Sequence, residues 1–367
     1  MIALAPGTQP RHAGVTMDGA QIESLSTDAA KGSPRSKWLH RADRALAVLV
    51  WITVALVLAA WGMLVFLADR WWPATVLLFA PRWVFAAPIV VLAPLALWRR
   101  RRLLLPLGAA AAIVFGPLMG LCVPNPLRSG STGPRVRVLT QNLGKVPLAS
   151  GAVRVLMADE KPDVAAFQEC APPEDGASPI PGYTLHIDRD LCLLSRFPVL
   201  KADPRDRQDV WQKGGSGAMA LFTIESPTGV FYLMNVHLET ARDGLGAIVG
   251  KRLAGVPELE ANIAARRWES DLAREWRARA SGPLIVAGDF NMPVESGIYR
   301  DFWSSYTNAF SKAGTGYGFT KHTRLLGVRI DHVLAGSDWV VERAWVARPL
   351  GSDHEGMIAD LRWQTAQ

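Results

Sequence analysis

The sequence predicts an α+β domain of two packed β-sheets, preceded by about three transmembrane helices. Three observations carry that prediction. Apolar residues of the first third fall in long runs with few charges, long enough to cross a bilayer. Beyond residue 135 they fall in short strand-length runs that outnumber the helical ones and are mostly joined by short connections. The basic charge is also one-sided. Met1–Pro134 holds 13 Lys+Arg and 5 Asp+Glu, net +8, and Arg135–Gln367 holds 27 and 28, net −1, together the +7 of the 367-residue chain. The pI of about 9.5 therefore belongs to the first third and is no nucleic-acid footprint on the remainder. A hydrophobic content of 49% and a mean hydropathy of +0.12 agree with a membrane segment.

Residues 1–44 are expected to be a disordered, basic, cytoplasmic N-terminus. Met1–Gly32 is rich in Gly, Ala, Ser and Thr without apolar periodicity, and no apolar region follows a short basic start as in a signal peptide. Lys31, Arg35, Lys37, Arg41 and Arg44 lead into a membrane domain over 45–123, with spans at about 45–68, 76–98 and 103–123. The uncharged run Ala45–Ala68, at about 1.5 Å per residue, crosses a hydrocarbon core of about 30 Å. Asp69, Arg70, Trp71, Trp72 and Pro73 make a polar, aromatic interface. Pro81, Arg82, Pro88 and Pro94 interrupt the second span. Either Trp83–Trp98 crosses as a short kinked helix, or the whole stretch crosses with Arg82 snorkelling outward. Arg99-Arg100-Arg101-Arg102, squeezed between two apolar runs, reads as a cytoplasmic loop, so the third span exits on the outer face near Pro124. A linker over 124–135 then leads to a domain over 136–367 outside the cytoplasm. Cys122 is placed in a span. Cys170 and Cys192 lie where an oxidising compartment permits a disulfide, but the preferred reading is two small buried hydrophobes.

In the outer domain, Val136–Leu143 alternates and ends in a polar pair, a strand delivering Asn142 to a sheet edge. Residues 150–161 are a helix candidate, and 163–169 a strand ending in Glu169. Tyr183–Ile187 and Leu191–Leu194 are further strands. Ala218–Ile224 and Val230–His237 pair around Ser226-Pro227-Thr228-Gly229. Ala241–Val256 is Gly-rich and irregular; Ile248, Val249, Lys251, Arg252 and Leu253 could form a basic, apolar flap near the site or bilayer, or a loop. Pro257–Ala280 is the long helix, with Leu259, Ile263, Trp268, Leu272 and Trp276 as its apolar side. Pro283–Ala287 is a buried strand that Gly288 ends where backbone must come close to something. Asp289 and Asn291 sit two apart, so an extended backbone points both the same way, while Gly-Asp and Asn-Met-Pro are also ordinary turn chemistry. Val328–Leu334, Trp339–Val346 and Met357–Leu361 complete the strands.

Strand after strand ends in an acidic, amide or imidazole side chain: Asn142, Glu169, His237, Asp289 with Asn291, Asp331, and Asp353 with His354. Each alone is an ordinary turn or cap residue. Their ordered recurrence suits hydrolysis of a phosphate ester by metal-activated water. A hard cation wants oxygen ligands, which Glu169 with Asn142 or Asp353 supplies, and Mg²⁺ or Mn²⁺ is the expected cofactor. Asp289 takes the water proton, and His354, kept protonated by Asp331, meets charge on the phosphoryl oxygens.

Thr140-Gln141-Asn142, Gln168-Glu169, Asn235-Val236-His237-Leu238, Gly288-Asp289-Phe290-Asn291, Arg329-Ile330-Asp331-His332 and Ser352-Asp353-His354, in this order, resemble the endonuclease/exonuclease/phosphatase superfamily. The likeness runs from about Val136 to Leu361. It implies a four-layer α/β sandwich of two packed β-sheets flanked by helices, with the site at one rim. It also implies that Glu169 is the main metal ligand, with Asn142 and Asp353 nearby. Asp289 then orients or deprotonates water, Asn291 and His237 contact phosphate, and His354 pairs with Asp331. Some members pair the histidine at the His237 position with a carboxylate, for which Asp188 and Asp190 are the candidates here. His332 reads as structural, and His186 and His322 as surface or packing histidines. The expected function is a membrane-anchored, metal-dependent phosphodiesterase of endonuclease-like type, on a nucleic acid or lipid-headgroup phosphoester. The alternatives are a phospholipid or sphingolipid phosphodiesterase or phosphatase, and a catalytically silent binding module on the same bilayer anchor.

Overall fold

The structure is a computed structural model that describes residues 34–124, 133–144, 146–323 and 327–364. The expectations for residues 1–33 and for the linker over 125–132 lie outside the described residues.

Three helical stretches are long and apolar enough to cross a membrane: Lys37–Leu67, Arg82–Arg99 and Arg101–Leu118. The first lies in α1 (Pro34–Leu67), which starts ahead of the uncharged run because its basic lead-in is also helical. A short α2 (Trp72–Leu78) and a 3₁₀ turn (Arg82–Ala86) precede α3 (Ala87–Arg99), and α4 (Leu104–Ile113) runs on into a π-helical turn (Val114–Leu118). The second stretch thus begins at Arg82, later than expected. The residues before it are diverted into α2, whose Trp72 and Val76 pack on the core of the outer domain. Arg82 does not snorkel. It is 5% exposed and pairs with Glu295 at 3.4 Å, because a buried guanidinium needs a counter-charge. Cys122 is not inside an apolar helix either: it bridges to Gly316 of the outer domain through two backbone hydrogen bonds.

The outer domain contains β1 (Arg135–Asn142), α5 (Gly151–Glu160), β2 (Val164–Gln168), β3 (Thr184–Asp188), β4 (Leu191–Ser195), β5 (Val199–Pro204), α6 (Arg207–Trp211), β6 (Ala218–Ser226) and β7 (Gly229–His237). Then follow α7 (Arg242–Lys251), α8 (Val256–Arg277), β8 (Leu284–Asp289), α9 (Gly297–Phe302), β9 (Thr307–Asn308), α10 (Ala309–Ala313), β10 (Lys321–His322), β11 (Gly327–Val328), β12 (Asp331–Ala335), β13 (Trp339–Val346) and β14 (Met357–Trp363). One six-stranded sheet has the order β13-β14-β1-β2-β4-β3, the other β5-β6-β7-β8-β12-β9. Each is mixed, with β1 parallel to β2 and β7 parallel to β8.

Period-two burial builds the layers. Val136, Val138, Ile285 and Ala287 face the seam between the sheets, where they meet Phe222, Phe231 and Leu361. On the outer faces, Leu139 packs with Val153, Leu156 and Met157 of α5, and Val286 with Leu259, Ile263 and Leu272 of α8. Helix, sheet, sheet, helix: the two-sheet sandwich expected from the sequence is present. The seam also carries a polar bridge. Gln168 Nε2 donates to Asn235 Oδ1 at 2.7 Å, and Asn235 Nδ2 donates to Phe167 O, so a buried amide pair registers one sheet on the other.

Some local readings change. The Gly-rich stretch after residue 241 is α7 followed by a 3₁₀ turn (Arg252–Gly255). The edge strand β5 and the single-turn α6 carry little apolar periodicity and gave no signal. Cys170 and Cys192 are buried, as preferred, but they form a disulfide with Cα atoms 6.0 Å apart. Antiparallel pairing of β2 with β4 sets Phe167 opposite Cys192, and the chain turns just beyond to bring Cys170 alongside.

Candidate active site

The site is assembled where β1, β2, β7, β8 and β12 end at one rim. Register does most of the placement. β8 is flanked by β7 and β12, and Asp289 is the register partner of both His237 and Asp331. Asn142 is the partner of Gln168 on the other sheet, one residue before Glu169. Gly288 makes this close approach possible: a Cβ there would sit 1.9 Å from Val236 O, and φ is +152°.

Asp289 and Asn291 meet the site differently from the extended geometry expected. The strand stops at Asp289, and Asn291 is left-handed at φ +50°, its N–H donating to Asp289 Oδ1 at 2.8 Å. This is an Asx turn, which competes well with extended backbone after a glycine. Asn291 Nδ2 donates to Leu238 O at 2.8 Å, tying the turn to the end of β7. Glu169 is also left-handed, at φ +47°, so two of the site residues hold a conformation that costs a side-chain-bearing residue about 1 kcal/mol or more.

Asn142 joins the two carboxylates. Its Nδ2 donates to Glu169 Oε1 at 3.0 Å and to Asp289 Oδ2 at 3.1 Å, while its Oδ1 accepts from Gly144 N–H. His237 Nε2 lies 4.0 Å from Glu169 Oε1 and 3.9 Å from Asp289 Oδ2. Asp190, by contrast, is taken by a two-pronged bond from Arg207, so the carboxylates facing His237 are Glu169 and Asp289. Asn142, Asp289, Asp331 and His354 are buried, Glu169, His237 and Asn291 are half-buried, and Asp353 is exposed.

His354 and Asp331 form a buried dyad. His354 Nδ1 donates to Asp331 Oδ2 at 2.9 Å, and its Nε2 lies 3.7 Å from Asp289 Oδ2. Burial works against charging this imidazole, but the carboxylates of Asp331 and Asp289 outweigh it and hold His354 up at about 9. Thr320 Oγ1 accepts from the N–H groups of Ile330 and Asp331 and fixes the entry to β12.

Asp289, Asp331 and His354 place one ligand atom each within 4.8 Å, a spacing that a metal could use. With Nδ1 of His354 bonded to Asp331, the trio offers His354 Nε2 and the Asp289 carboxylate to a metal, or holds a proton on the imidazole. The oxygens of Glu169, Asn142 and Asp353 are the hard donors that a divalent cation of the Mg²⁺ type prefers. Asp353 lies 4.0 Å from His354 Nε2. Its carboxyl is held below its ordinary range against the upward push of burial, chiefly through Lys321, whose ammonium pairs with it. Lys321 had no motif around it in the sequence: a cross-strand bridge to His354 delivers it. His186 packs edge-on to Phe222, and His322 faces Glu355.

Two packed sheets bring carboxylates, amides and imidazoles together at one rim, a set of groups suited to phosphoester hydrolysis. The chain belongs to the endonuclease/exonuclease/phosphatase family, whose family model, described as Endonuclease/Exonuclease/phosphatase family, matches residues 139–354. Among solved structures, it is similar to an endonuclease/exonuclease/phosphatase from Beutenbergia cavernae DSM 12333, at 17% identity and a TM-score of 0.44, covering 63% of this chain and 72% of that one. It is also similar to humanized D. rerio TDP2, at 14% identity and a TM-score of 0.48, covering 62% and 99%. A third is the family protein from Bacteroides thetaiotaomicron, at 16% identity and a TM-score of 0.45, covering 64% and 100%. No curated protein matches the chain.

Proposed function

We propose that the protein is a membrane-anchored, divalent-metal-dependent phosphodiesterase whose hydrolytic site lies outside the cytoplasm. The observation that supports it most is the rim itself, where Asn142, Glu169, Asp289 and the His354–Asp331 dyad converge from both sheets. Glu169, Asn142 and Asp353 would hold Mg²⁺ or Mn²⁺, which when bound neutralises charge on the phosphoryl oxygens. Asp289 orients a water and takes its proton as the water oxygen bonds to phosphorus and the ester P–O bond breaks. Asn291 and His237 contact the phosphate. The His354 imidazolium, held by Asp331, meets the developing negative charge.

The test uses the full chain in detergent with bis(p-nitrophenyl) phosphate and Mg²⁺ or Mn²⁺. Asp289→Ala and His354→Ala should each lower kcat by at least about 100-fold. Wild-type rates in both variants would sink the assignment. A second reading keeps the chemistry and places the phosphoester in a phospholipid or sphingolipid. It is favoured by the net charge of −1 over Arg135–Gln367 and by Val249 and Leu253, which stand 85% and 72% exposed beside Lys251 and Arg252. Side-by-side turnover of plasmid DNA and phospholipid vesicles separates the two.

A further inference from the structure

The membrane helices do not simply tether the outer domain; they end inside it. Just past α1, Asp69 is left-handed at φ +56°, and its side chain is wholly buried. It pairs with Arg266 of α8, equally buried, at 3.3 Å, and accepts from Ser296 Oγ at the start of α9. The other arm of the Arg266 guanidinium donates to the backbone carbonyl of Asn291 at 3.3 Å. One arginine thus holds the end of the first apolar helix with one nitrogen and the turn after Asp289 with another. The fit is tight: a Cβ at Gly297 would lie 2.1 Å from Ala68 O.

Burying a carboxylate and a guanidinium is expensive, and well-packed apolar residues fasten two bodies as firmly. What the ion pair adds is geometry. Asp69 on one arm and the Asn291 carbonyl on the other set the direction of the Arg266 guanidinium. Other contacts already fasten anchor to domain: Arg82 with Glu295, Arg70 with Asp301, and Arg300 with the carbonyl of Leu64. None of these three touches the Asp289–Asn291 turn.

We propose that Asp69 and Arg266 are positioning residues for that turn, so that the membrane anchor is part of the catalytic apparatus. The proposal rests on Asp289 and Asn291 being catalytic. Its structural half, an anchor that orders the turn, stands apart from that reading.

The test uses the full chain in detergent or nanodiscs, comparing Asp69→Asn, Arg266→Lys and Arg70→Ala with wild type. Lysine at 266 keeps the charge but cannot serve Asp69 and Asn291 together. Asp69→Asn and Arg266→Lys should lower kcat by about 10-fold or more with KM nearly unchanged, the pattern of a displaced reacting group. In both, amide exchange should rise over residues 289–298 and stay at wild-type levels over β1 and β2. Arg70→Ala should match wild type in all three measurements. Wild-type kcat and wild-type exchange in both variants would overturn the proposal. So would exchange that rises evenly across the domain, since that marks general loosening. If wild-type protein hydrolyses no phosphodiester, the catalytic reading falls, and exchange over 289–298 alone decides the coupling.

Discussion

His332 shows how much one buried side chain can set. Its Nε2 donates to Met292 O at 2.9 Å, and its Nδ1 accepts from Asn308 Nδ2 at 3.2 Å, a pairing that only the neutral ring with hydrogen on Nε2 completes. Burial, with Arg329 adding to it, pushes the imidazole down to about 3. The sign of the pH effect follows. Between about pH 6.5 and 3 the unfolded chain takes a proton on this ring that the folded chain refuses. The contribution to stability is therefore intact above about pH 6.5 and is lost progressively as pH falls toward 3, by on the order of 3–5 kcal/mol. His332→Gln, which can keep one donor and one acceptor, should flatten the fall in Tm between pH 6.5 and 4. Parallel curves for the two proteins would show that His332 does not titrate this way. The sequence marked His332 as structural because alternation points it away from Asp331. The partners of its two ring nitrogens come from residues 24 and 40 positions away, and alternation carries no record of them.

Among the elements, β8 and its turn carry the most information per residue. The apolar run before Gly288 is legible as a strand, and the need for glycine is legible as a close approach. What it approaches is the carbonyl of Val236 on a parallel neighbour. Gly288→Ala should push β7 and β8 apart at the rim and cost about 2–4 kcal/mol, since it combines a steric clash with a strained φ. Thermal unfolding in detergent checks it, and a Tm within a degree of wild type contradicts it. The turn after Asp289 was one of two readings of the sequence, because Gly-Asp and Asn-Met-Pro are ordinary loop chemistry while Asp-Phe-Asn also fits extended backbone. The Gly-rich helix α7 was missed: a helix with three glycines, at 244, 246 and 250, has weak propensity and forms by packing against α8, where a Cβ at Gly244 would lie 3.0 Å from Leu259 Cα.

At the scale of the molecule, orientation in the membrane is the consequential property. Arg99–Arg102 lies between the second and third apolar stretches, and by the positive-inside rule we propose that this loop faces the cytoplasm and the domain after it the opposite side. The Cys170–Cys192 bond is consistent with an oxidising compartment. A reporter that fluoresces only in the cytoplasm, fused after Gln367, should stay dark; a bright fusion reverses the topology.

What the sequence by itself determined is what is encoded locally. Apolar length set the three helical stretches, period-two burial set the strands of the two sheets, and each polar strand end was visible beside its own strand. Only the tertiary structure decided which of those ends meet: Asn142 between Glu169 and Asp289, His354 against Asp331, Lys321 against Asp353. It alone also closed the Cys170–Cys192 bond and carried Asp69 to Arg266 across 197 positions of sequence. Periodicity records which face of an element is buried. The partner on that face is chosen when sheets and helices pack, and that choice depends on register and distance between segments far apart in the chain.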